Sequence, residues 1–579
     1  MKNKYILLFI LLFITVGIYF RAADFPFIGY DNNEFIIENP LLGSWDADNF
    51  NKIWLVGGVP KENLYIPLTY TTYFVETALA GKIPGLIHLN NIILHLINVL
   101  LLYWFARRIS LSETASFFAA AAFAFHPLQI EPVVWCMGRK DLLSTLFALI
   151  AIHCYLAHIR GKGGTWILLS ALTAVAAMFA KPVMVILPGI LLLEEILLCS
   201  GTGDESKTSA AARCSALLRG LRLKSGIKPE SLRVYALLAV SAVSGIVVFL
   251  NLTGPFRAAG HRPLNEIAAC YVYLTGEWVR RLFFLEPVQH FYRWPDNALL
   301  FSALPGCLII IGVSLTALWL ALFDVKYDRR MIFGLVFAVF AFLPPLMHLR
   351  YSQDFITADR YGYFPLAGLF LALSVLLNSA SGMKRRILLA SVALWIGVMA
   401  IKAVDTVSTW SSDILFWRHE VTTKSDSSVD NYFYGLALLN KDRYKESINA
   451  FDICIRYKSS YLQRALFSSG SACFYLENYD KALKMYKKAL EANGTSQYVS
   501  LIYSSMAEVY LKKKNVGMAL GMMQKALANN PENAAAHLRI SQIYLYLDNG
   551  DAAIKHIRKA AELGVDIPEE LQHFLPEED

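Results

Sequence analysis

Apolar runs long enough to cross a lipid bilayer recur along most of this chain, and they restrict it to a polytopic, helical membrane protein with something soluble attached. A helix needs about 20 apolar residues to span the hydrocarbon layer. Eleven runs are candidates, some of them short: residues 5–20, 88–106, 114–127, 141–159, 165–180, 183–199, 234–252, 302–323, 331–347, 361–379 and 387–404. A further segment, 264–287, is apolar but holds Glu277, Arg280 and Arg281. It reads as an interfacial or re-entrant helix, or as a span facing the protein interior. Of the 579 residues, 56% are hydrophobic and only 17% charged, against roughly a quarter charged in soluble domains.

The net charge of +8 is a matter of topology and gives no sign of nucleic-acid binding. Its cations cluster in short loops: Lys2 and Lys4, Arg107 and Arg108, Arg160 and Lys162, six Lys or Arg between 213 and 233, Lys326 to Arg330, and Lys384 to Arg386. With a cytoplasmic N-terminus and eleven crossings every cluster is cytoplasmic, as the positive-inside rule requires. That count holds only if 264–287 does not cross, and it leaves the C-terminal region outside. The first run resembles a signal peptide but lacks a clear A-x-A site, so it reads as an anchor. The eight cysteines, Cys136, Cys154, Cys199, Cys214, Cys270, Cys307, Cys454 and Cys473, show no CxxC or metal spacing. They read as small buried hydrophobes.

From about residue 428 helical patterns recur with a period near 34, the tetratricopeptide signature. The second unit, LFSSGSACFYLENYDKALKMYKKAL, carries Gly470, Tyr479, Ala482, Tyr486 and Ala489. The third has Tyr510, Ala519, Ala526 and Pro531, and the fourth Tyr544, Ala553 and Ala560. The first is degenerate around Gly435, Tyr444, Ser447 and Phe451. Four such units stack into a curved rod, whose surface suits an acceptor or partner protein.

Polar residues collect at one membrane edge. FIGYDNNEFIIENP follows the first run and brings Asp31 and Glu34 to the external interface. WDADNFNKIW and YIPLTYTTYFVETALAG are amphipathic stretches that suit a membrane surface. IHLNNIILH brings His88, Asn91 and His95, and HPLQIEPVVWCMGRKDLL brings His126, Glu131 and Arg139. AKP holds Lys181, FYRWP holds Arg293, and HLRYSQDFITADRYGYFP holds Asp359 and Arg360. On the topology above all face outward. A site for an anionic lipid headgroup needs such cations, and a transfer reaction needs a carboxylate base as well. Arg139 on the external side runs against the charge rule, Arg360 stands at a helix start where the dipole disfavours a cation, and Lys181 has no acid near it in sequence. Arg360 needs a partner there, either Asp359 or an anionic ligand; the placement of Lys181 suggests an anion, and that of Arg139 a functional role.

In order and spacing these motifs, YDNNEFIIENP, LYIPLTY, HLNNIILH, GRKDLL and ADRYGYFP followed by the repeats, resemble the transmembrane O-mannosyltransferases with tetratricopeptide repeats, of the GT-C glycosyltransferase superfamily. The resemblance covers roughly residues 1–405 and the tail. It implies an all-α GT-C-like membrane core with a C-terminal repeat solenoid. It also implies transfer of a sugar, mannose in the family, from a polyprenyl-phosphate donor to a protein hydroxyl or lipid-linked glycan on the outer face. Asp31 would be the base, with Glu34 beside it. Arg139, Lys181 and Arg360 would hold the donor phosphate, and His88, Asn91, His126, Glu131, Arg293 and Asp359 would line the substrate. The family often carries two adjacent acids in the first loop; here the second is Asn32, so either Glu34 substitutes or the site differs in acceptor or in activity. No motif indicates a metal or other cofactor. The expected organisation is a first span at 1–20, an external loop at 21–87, a core at 88–410, a linker at 411–427 and repeats at 428–579. A bacterial inner membrane, with the repeats outside, is the expected setting.

Simpler readings stand beside these. Asp31 suits a helix N-cap or Asx turn. His88, His95 and His126 suit satisfied interfacial histidines, and His126-Pro127 suits a helix end. Arg139 and Lys140 suit snorkelling side chains. Glu194 and Glu195 suit acids at the cytoplasmic edge. The main alternative function is a catalytically degenerate core anchoring a repeat scaffold for envelope assembly. A transporter is disfavoured, because the membrane half shows no internal duplication and its polar residues avoid mid-depth.

Overall fold

The computed structural model describes residues 2–29, 32–56, 65–198, 328–342, 358–423, 427–457, 461–492 and 496–575, with short pieces between 236 and 282. No strand occurs among them. The chain divides into two compact units, Met1–Ser412 and Asp413–Asp579.

The first unit opens with α1 (Lys2–Tyr19), followed by α2 (Ala47–Val56) and α3 (Pro67–Ala80), the two amphipathic stretches of the first loop. Then come α4 (Pro84–Arg108), α5 (Glu113–Phe125), the short α6 (Ile130–Val134), α7 (Arg139–Ile159), α8 (Gly164–Ala180) and α9 (Leu187–Leu198). After the segment outside the description come α10 (Arg329–Phe342), α11 (Tyr363–Ser379) and α12 (Gly382–Thr409). The starts follow local chemistry. Pro67 and Pro84 begin α3 and α4, where the missing N–H costs nothing. The Ser112 side chain caps α5 by accepting from the Ala115 amide at 3.2 Å. At His126-Pro127 the chain bends by 60° into the next turn, because proline cannot continue the helix. His126 caps that turn, accepting from the Leu128 amide at 3.2 Å.

Among the described residues five helical segments are long and apolar enough to cross a membrane: Tyr5–Asp24, Pro84–Arg108, Cys136–Ile159, Asp359–Ser379 and Gly382–Thr409. The bent pair Glu113–Phe125 and Pro127–Val134 makes a sixth if counted as one span. The runs at 165–180, 183–199 and 331–347 form shorter helices, α8, α9 and α10. The candidates at 234–252, 264–287 and 302–323 lie almost wholly outside the described residues. Burial grades the spans. Most of α7 is enclosed by protein, whereas α12 shows Met383, Ile387, Leu394 and Ile401 at its surface, a face suited to lipid. α10 and α11 approach closely where Gly334 meets Gly368: a Cβ on Gly334 would lie 2.5 Å from the Gly368 carbonyl oxygen. Small residues at such contacts are how membrane helices gain packing energy.

The second unit starts with α13 (Asp413–Thr423), inside the stretch expected to be a linker. It buries Phe416 and Trp417, and the Trp417 ring stacks on Phe433 at 4.8 Å. Four helix pairs follow: α14 (Ser428–Leu439) with α15 (Tyr444–Arg456), α16 (Leu462–Tyr475) with α17 (Tyr479–Glu491), α18 (Ser496–Lys512) with α19 (Val516–Asn529), and α20 (Ala534–Tyr546) with α21 (Gly550–Glu562). A short α22 (Glu569–Gln572) follows, and its Leu571 packs with Ile557 and Ala560 of α21. The repeat glycines exist for the aromatics. A Cβ on Gly470 would lie 2.6 Å from the Tyr486 ring, and one on Gly435 would lie 2.5 Å from the Phe451 ring. Asp442, Glu477, Lys514 and Asp548 hold the left-handed conformation between paired helices. Asn478, Asn515 and Asn549 then cap the second helices of the later pairs.

This packing sets a contrast between two glycines. Gly470→Ala should overpack the α16–α17 contact and cost about 1–3 kcal/mol. The same change at Gly517, which has open space around it, should stabilise by up to about 1 kcal/mol, since alanine is the better helix former. Thermal melts of the two variants followed by circular dichroism check both signs.

Candidate active site

Three buried cations organise the membrane unit around the first turn of α7. Arg139 opens that helix. It forms an ion pair with Glu76 of α3, donates from Nε to Asn91 Oδ1 at 3.1 Å and from Nη2 to the Ile87 carbonyl at 3.1 Å. Its guanidinium lies 4.5 Å from the centre of the Tyr73 ring. Asn90 donates to the other Glu76 oxygen at 2.8 Å. Lys181, at the end of α8, donates to Asp141 Oδ1 and lies 4.7 Å over the Tyr361 ring. Arg360 pairs with Glu131 through its guanidinium and donates its backbone N–H to Glu131 Oε2 at 2.9 Å. It also stacks 4.8 Å over Trp135. All six charged side chains are less than a tenth exposed.

Local geometry brings these groups together. Gly138 allows the turn before α7 to fold onto the Pro132 carbonyl, with no room for a Cβ. Glu131 and Arg139 thus come from two sides of one tight bend. Asn91 donates to the Trp135 carbonyl at 3.1 Å, so one chain of contacts runs from Glu76 through Arg139, Asn91 and Trp135 to Arg360 and Glu131. α3 is fixed by Tyr73, whose hydroxyl donates to the Cys136 carbonyl at 2.6 Å, and by Thr69, which donates to the Ala180 carbonyl at 2.9 Å. The turn Asp359–Gly362 packs on Pro127–Gln129. Lys181 and Arg360 line one small cavity of about 20 Å³ together with Asp141, Thr145, Tyr361 and Pro365. Arg139 does not line it.

The expectations for the cations need correcting on one point. Lys181 has an acid beside it: Asp141, 40 positions away in sequence. The carboxylate that balances Arg360 is Glu131, 229 positions away. Sequence reasoning placed Glu131 in the substrate set and missed Glu76 and Asp141. A signal for them existed. A cation buried in an apolar bundle requires a carboxylate or a ligand, and only a few acids lie near the external ends of the spans.

The other candidates fall as follows. His88 is buried against the Cys136 sulfur at 3.5 Å and edge-on to Phe25. His126 is buried, with Phe370 and Trp395 against its ring. Asp359 is buried next to Arg360. Glu34 is exposed on a single π-type turn, Asn33–Ile37, while Asn32 is buried. Tyr70 of α3 and Lys82 reach that turn, donating to the carbonyls of Phe35 at 3.4 Å and Ile37 at 2.7 Å. Asp31 and Arg293 lie outside the described residues. Among the described residues no group of three His, Cys, Asp or Glu is placed to hold a metal ion.

Because each cation is balanced, truncating one partner strands the other in a poorly solvated site. Glu131→Gln should therefore destabilise the protein by about 3–5 kcal/mol. The double change Glu131→Leu with Arg360→Met should recover most of that loss. Thermal unfolding of Glu131→Leu, Arg360→Met and the double variant in one detergent tests this, and additivity of those two single changes in the double would refute the pairing.

The profile of the dolichyl-phosphate-mannose-protein mannosyltransferase family matches residues 71–219, a span that holds Glu76, Asn91, Glu131, Arg139, Asp141 and Lys181. Tetratricopeptide-repeat profiles match residues 463–495 and 505–564. Protein O-mannosyl-transferase TMTC4 of Mus musculus is 24% identical over 502 residues, covering 76% of this chain and 65% of the relative. Protein O-mannosyl-transferase TMTC1 of Homo sapiens is 24% identical over 426 residues, covering 66% and 47%. The chain thus spans less than two thirds of the length of these relatives. The Archaeoglobus fulgidus oligosaccharyltransferase structure shares 14% identity and a TM-score of 0.34, over 70% of this chain and 55% of that one. By profile and by relatives, the chain resembles the transmembrane O-mannosyltransferases with tetratricopeptide repeats, a helical membrane core followed by a repeat tail.

Proposed function

We propose that the protein is a membrane glycosyltransferase that moves a sugar, mannose by resemblance, from a polyprenyl-phosphate donor to a hydroxyl acceptor on the outer face. The observation that carries this reading is the convergence of Lys181 and Arg360 on one cavity, from loops far apart in sequence and beside aromatic rings. Carboxylates balance both cations. A donor phosphate would compete with Asp141 or Glu131 for these cations, and its entry would widen a cavity that measures about 20 Å³. The acceptor oxygen then attacks the anomeric carbon and its proton passes to the Asp31 carboxylate. The bond from carbon to phosphate oxygen breaks, and the electron pair leaves on the polyprenyl phosphate, where the cations stabilise it. The turn that follows Asp31 is tied to α3, and α3 carries the acid that balances Arg139, which supports Asp31 as the base. The loop charges support a cytoplasmic N-terminus and external repeats, and a bacterial inner membrane is the setting we propose.

The degenerate-scaffold reading draws on a different observation: all three cations are already satisfied by acids and the cavity is small. A panel of polyprenyl-phosphate sugars offered to purified protein decides between the two. The enzyme reading expects turnover on at least one donor. Asp31→Asn should then lower the rate by about 10²–10⁴-fold with donor binding retained, and Glu34→Gln, whose side chain is exposed, should cost much less. Wild-type turnover in Asp31→Asn would remove Asp31 as base.

Topology is tested separately. A phosphatase reporter fused after Asp579 should be active outside the cytoplasm. Activity of a cytoplasm-only reporter at that position would overturn the outward placement of the repeats and of the first loop.

A further inference from the structure

The bend at His126-Pro127 leaves a buried carbonyl to be satisfied. In a continuous helix the Ala124 oxygen would accept from the Leu128 amide, four positions on. That amide is turned to His126 Nδ1 instead. His95 of α4 and Tyr19 of α1 supply the missing donors: His95 Nε2 lies 3.4 Å and the Tyr19 hydroxyl 3.2 Å from the Ala124 oxygen. On its other side His95 Nδ1 meets the Tyr363 hydroxyl at 2.7 Å. Asn98, one turn along α4, donates from Nδ2 to that same hydroxyl at 3.2 Å and to the Leu142 carbonyl at 3.0 Å. Tyr19, His95, Asn98 and Tyr363 are all buried.

Carbonyl oxygens only accept, so the direction of every bond in this chain is fixed. The Leu142 oxygen requires the Asn98 amide nitrogen to face it, which orients that side chain. The Ala124 oxygen requires a proton on His95 Nε2. Nδ1 of the neutral ring then carries a lone pair and accepts from the Tyr363 hydroxyl. Ring contacts hold the same node: Tyr19 stands edge-on to His95 at 5.1 Å, and Phe123 edge-on to Tyr363 at 5.1 Å. Each anchor lies next to the cation cluster. Tyr363 follows Arg360 by three residues, Leu142 follows Asp141, and Ala124 precedes the bend that presents Glu131. We propose that His95 and Tyr363 are positioning residues, which fix the turn carrying Arg360 against the bend carrying Glu131 and against the first turn of α7. This rests on the transferase reading, in which Arg360 meets the donor phosphate. A binding group has to be held within about 0.5 Å of its productive place by neighbours that are themselves locked. Hydrogen bonds in a site with little water are strong enough to lock them.

Tyr363→Phe keeps the ring and removes the hydroxyl. His95→Phe removes both ring nitrogens, and His95→Asn puts an amide oxygen near the place of Nδ1. Solid-state nitrogen NMR of the histidine-labelled protein in lipid tests the chain, with the His95 signals identified by their loss in His95→Asn. Wild type should show a protonated Nε2 and an unprotonated Nδ1, and Tyr363→Phe should shift the Nδ1 signal. A protonated Nδ1 in wild type, or an Nδ1 signal indifferent to Tyr363→Phe, overturns the chain. Calorimetric binding of a polyprenyl phosphate, with transfer kinetics beside it, tests the positioning role. Tyr363→Phe and His95→Phe should each raise the Kd and the donor KM by about threefold to tenfold, with kcat within about twofold. His95→Asn should restore most of that loss. The double variant should bind no more weakly than His95→Phe, since the Tyr363 hydroxyl then has nothing to reach. Wild-type affinity in Tyr363→Phe, or additive losses in the double variant, overturns the role; should His95→Phe fail to fold, the nearly isosteric Tyr363→Phe decides alone. A wild-type protein that binds polyprenyl phosphate but transfers no sugar ends the transferase reading and leaves the Kd comparison to decide positioning. One that binds no polyprenyl phosphate overturns both.

Discussion

The membrane unit depends on neutralising charge where water is scarce. Arginine and lysine inside an apolar bundle are costly unless an acid meets each one. Here three acids do so, and each comes from a different segment: Glu76 from α3, Glu131 from the bend after α5, Asp141 from α7. The pairs fasten the first-loop helix α3, the α5–α7 bend, the end of α8 and the start of α11 into one cluster. Aromatic rings add to this, since Tyr73, Trp135 and Tyr361 each lie against at least one of the cations. The same arrangement suits a site that must accept a negative ligand. The counter-charges also fix the cations in position.

The spans and the repeats were legible because their signals are local. Apolar run length marks a membrane helix, and a glycine facing an aromatic at a fixed spacing marks a helix pair. Gly470 with Tyr486 and Gly435 with Phe451 show the second directly, including in the repeat that looked degenerate. The position of the cations at the ends of spans was legible too, as was His126-Pro127 as a helix end. The partners were not. Glu131 and Arg360 are 229 positions apart, and nothing in either neighbourhood names the other. Asp141 lay within a quoted motif, yet its role needed the 40-residue return of the chain through α8. The stretch 411–427 reads as a linker because it is polar and short, but burial of Phe416 and Trp417 makes most of it a helix that covers the first repeat.

Thr145 shows a different limit. A threonine in an apolar helix reads as filler, since its hydroxyl often bonds back to its own helix. Thr145 does not do this. That its hydroxyl and Asp141 Oδ2, one turn away, are both buried without a hydrogen-bond partner is a fact of the three-dimensional packing alone.

The long reach of the Arg360–Glu131 pair has a consequence for biogenesis. A ribosome adds about 5–20 residues per second. With 229 residues between the partners, Glu131 is made roughly 10–45 s before Arg360 exists. Arg139 and Lys181 gain their acids within 63 and 40 residues. The early helices therefore assemble around two complete pairs and one unaccompanied carboxyl group. In that interval Glu131 lacks the cation that balances it in the folded protein. Arrival of the loop before α11 supplies it. Formation of this pair thus reports that the chain has been made as far as that loop, with only α11 and α12 of the membrane unit still to follow.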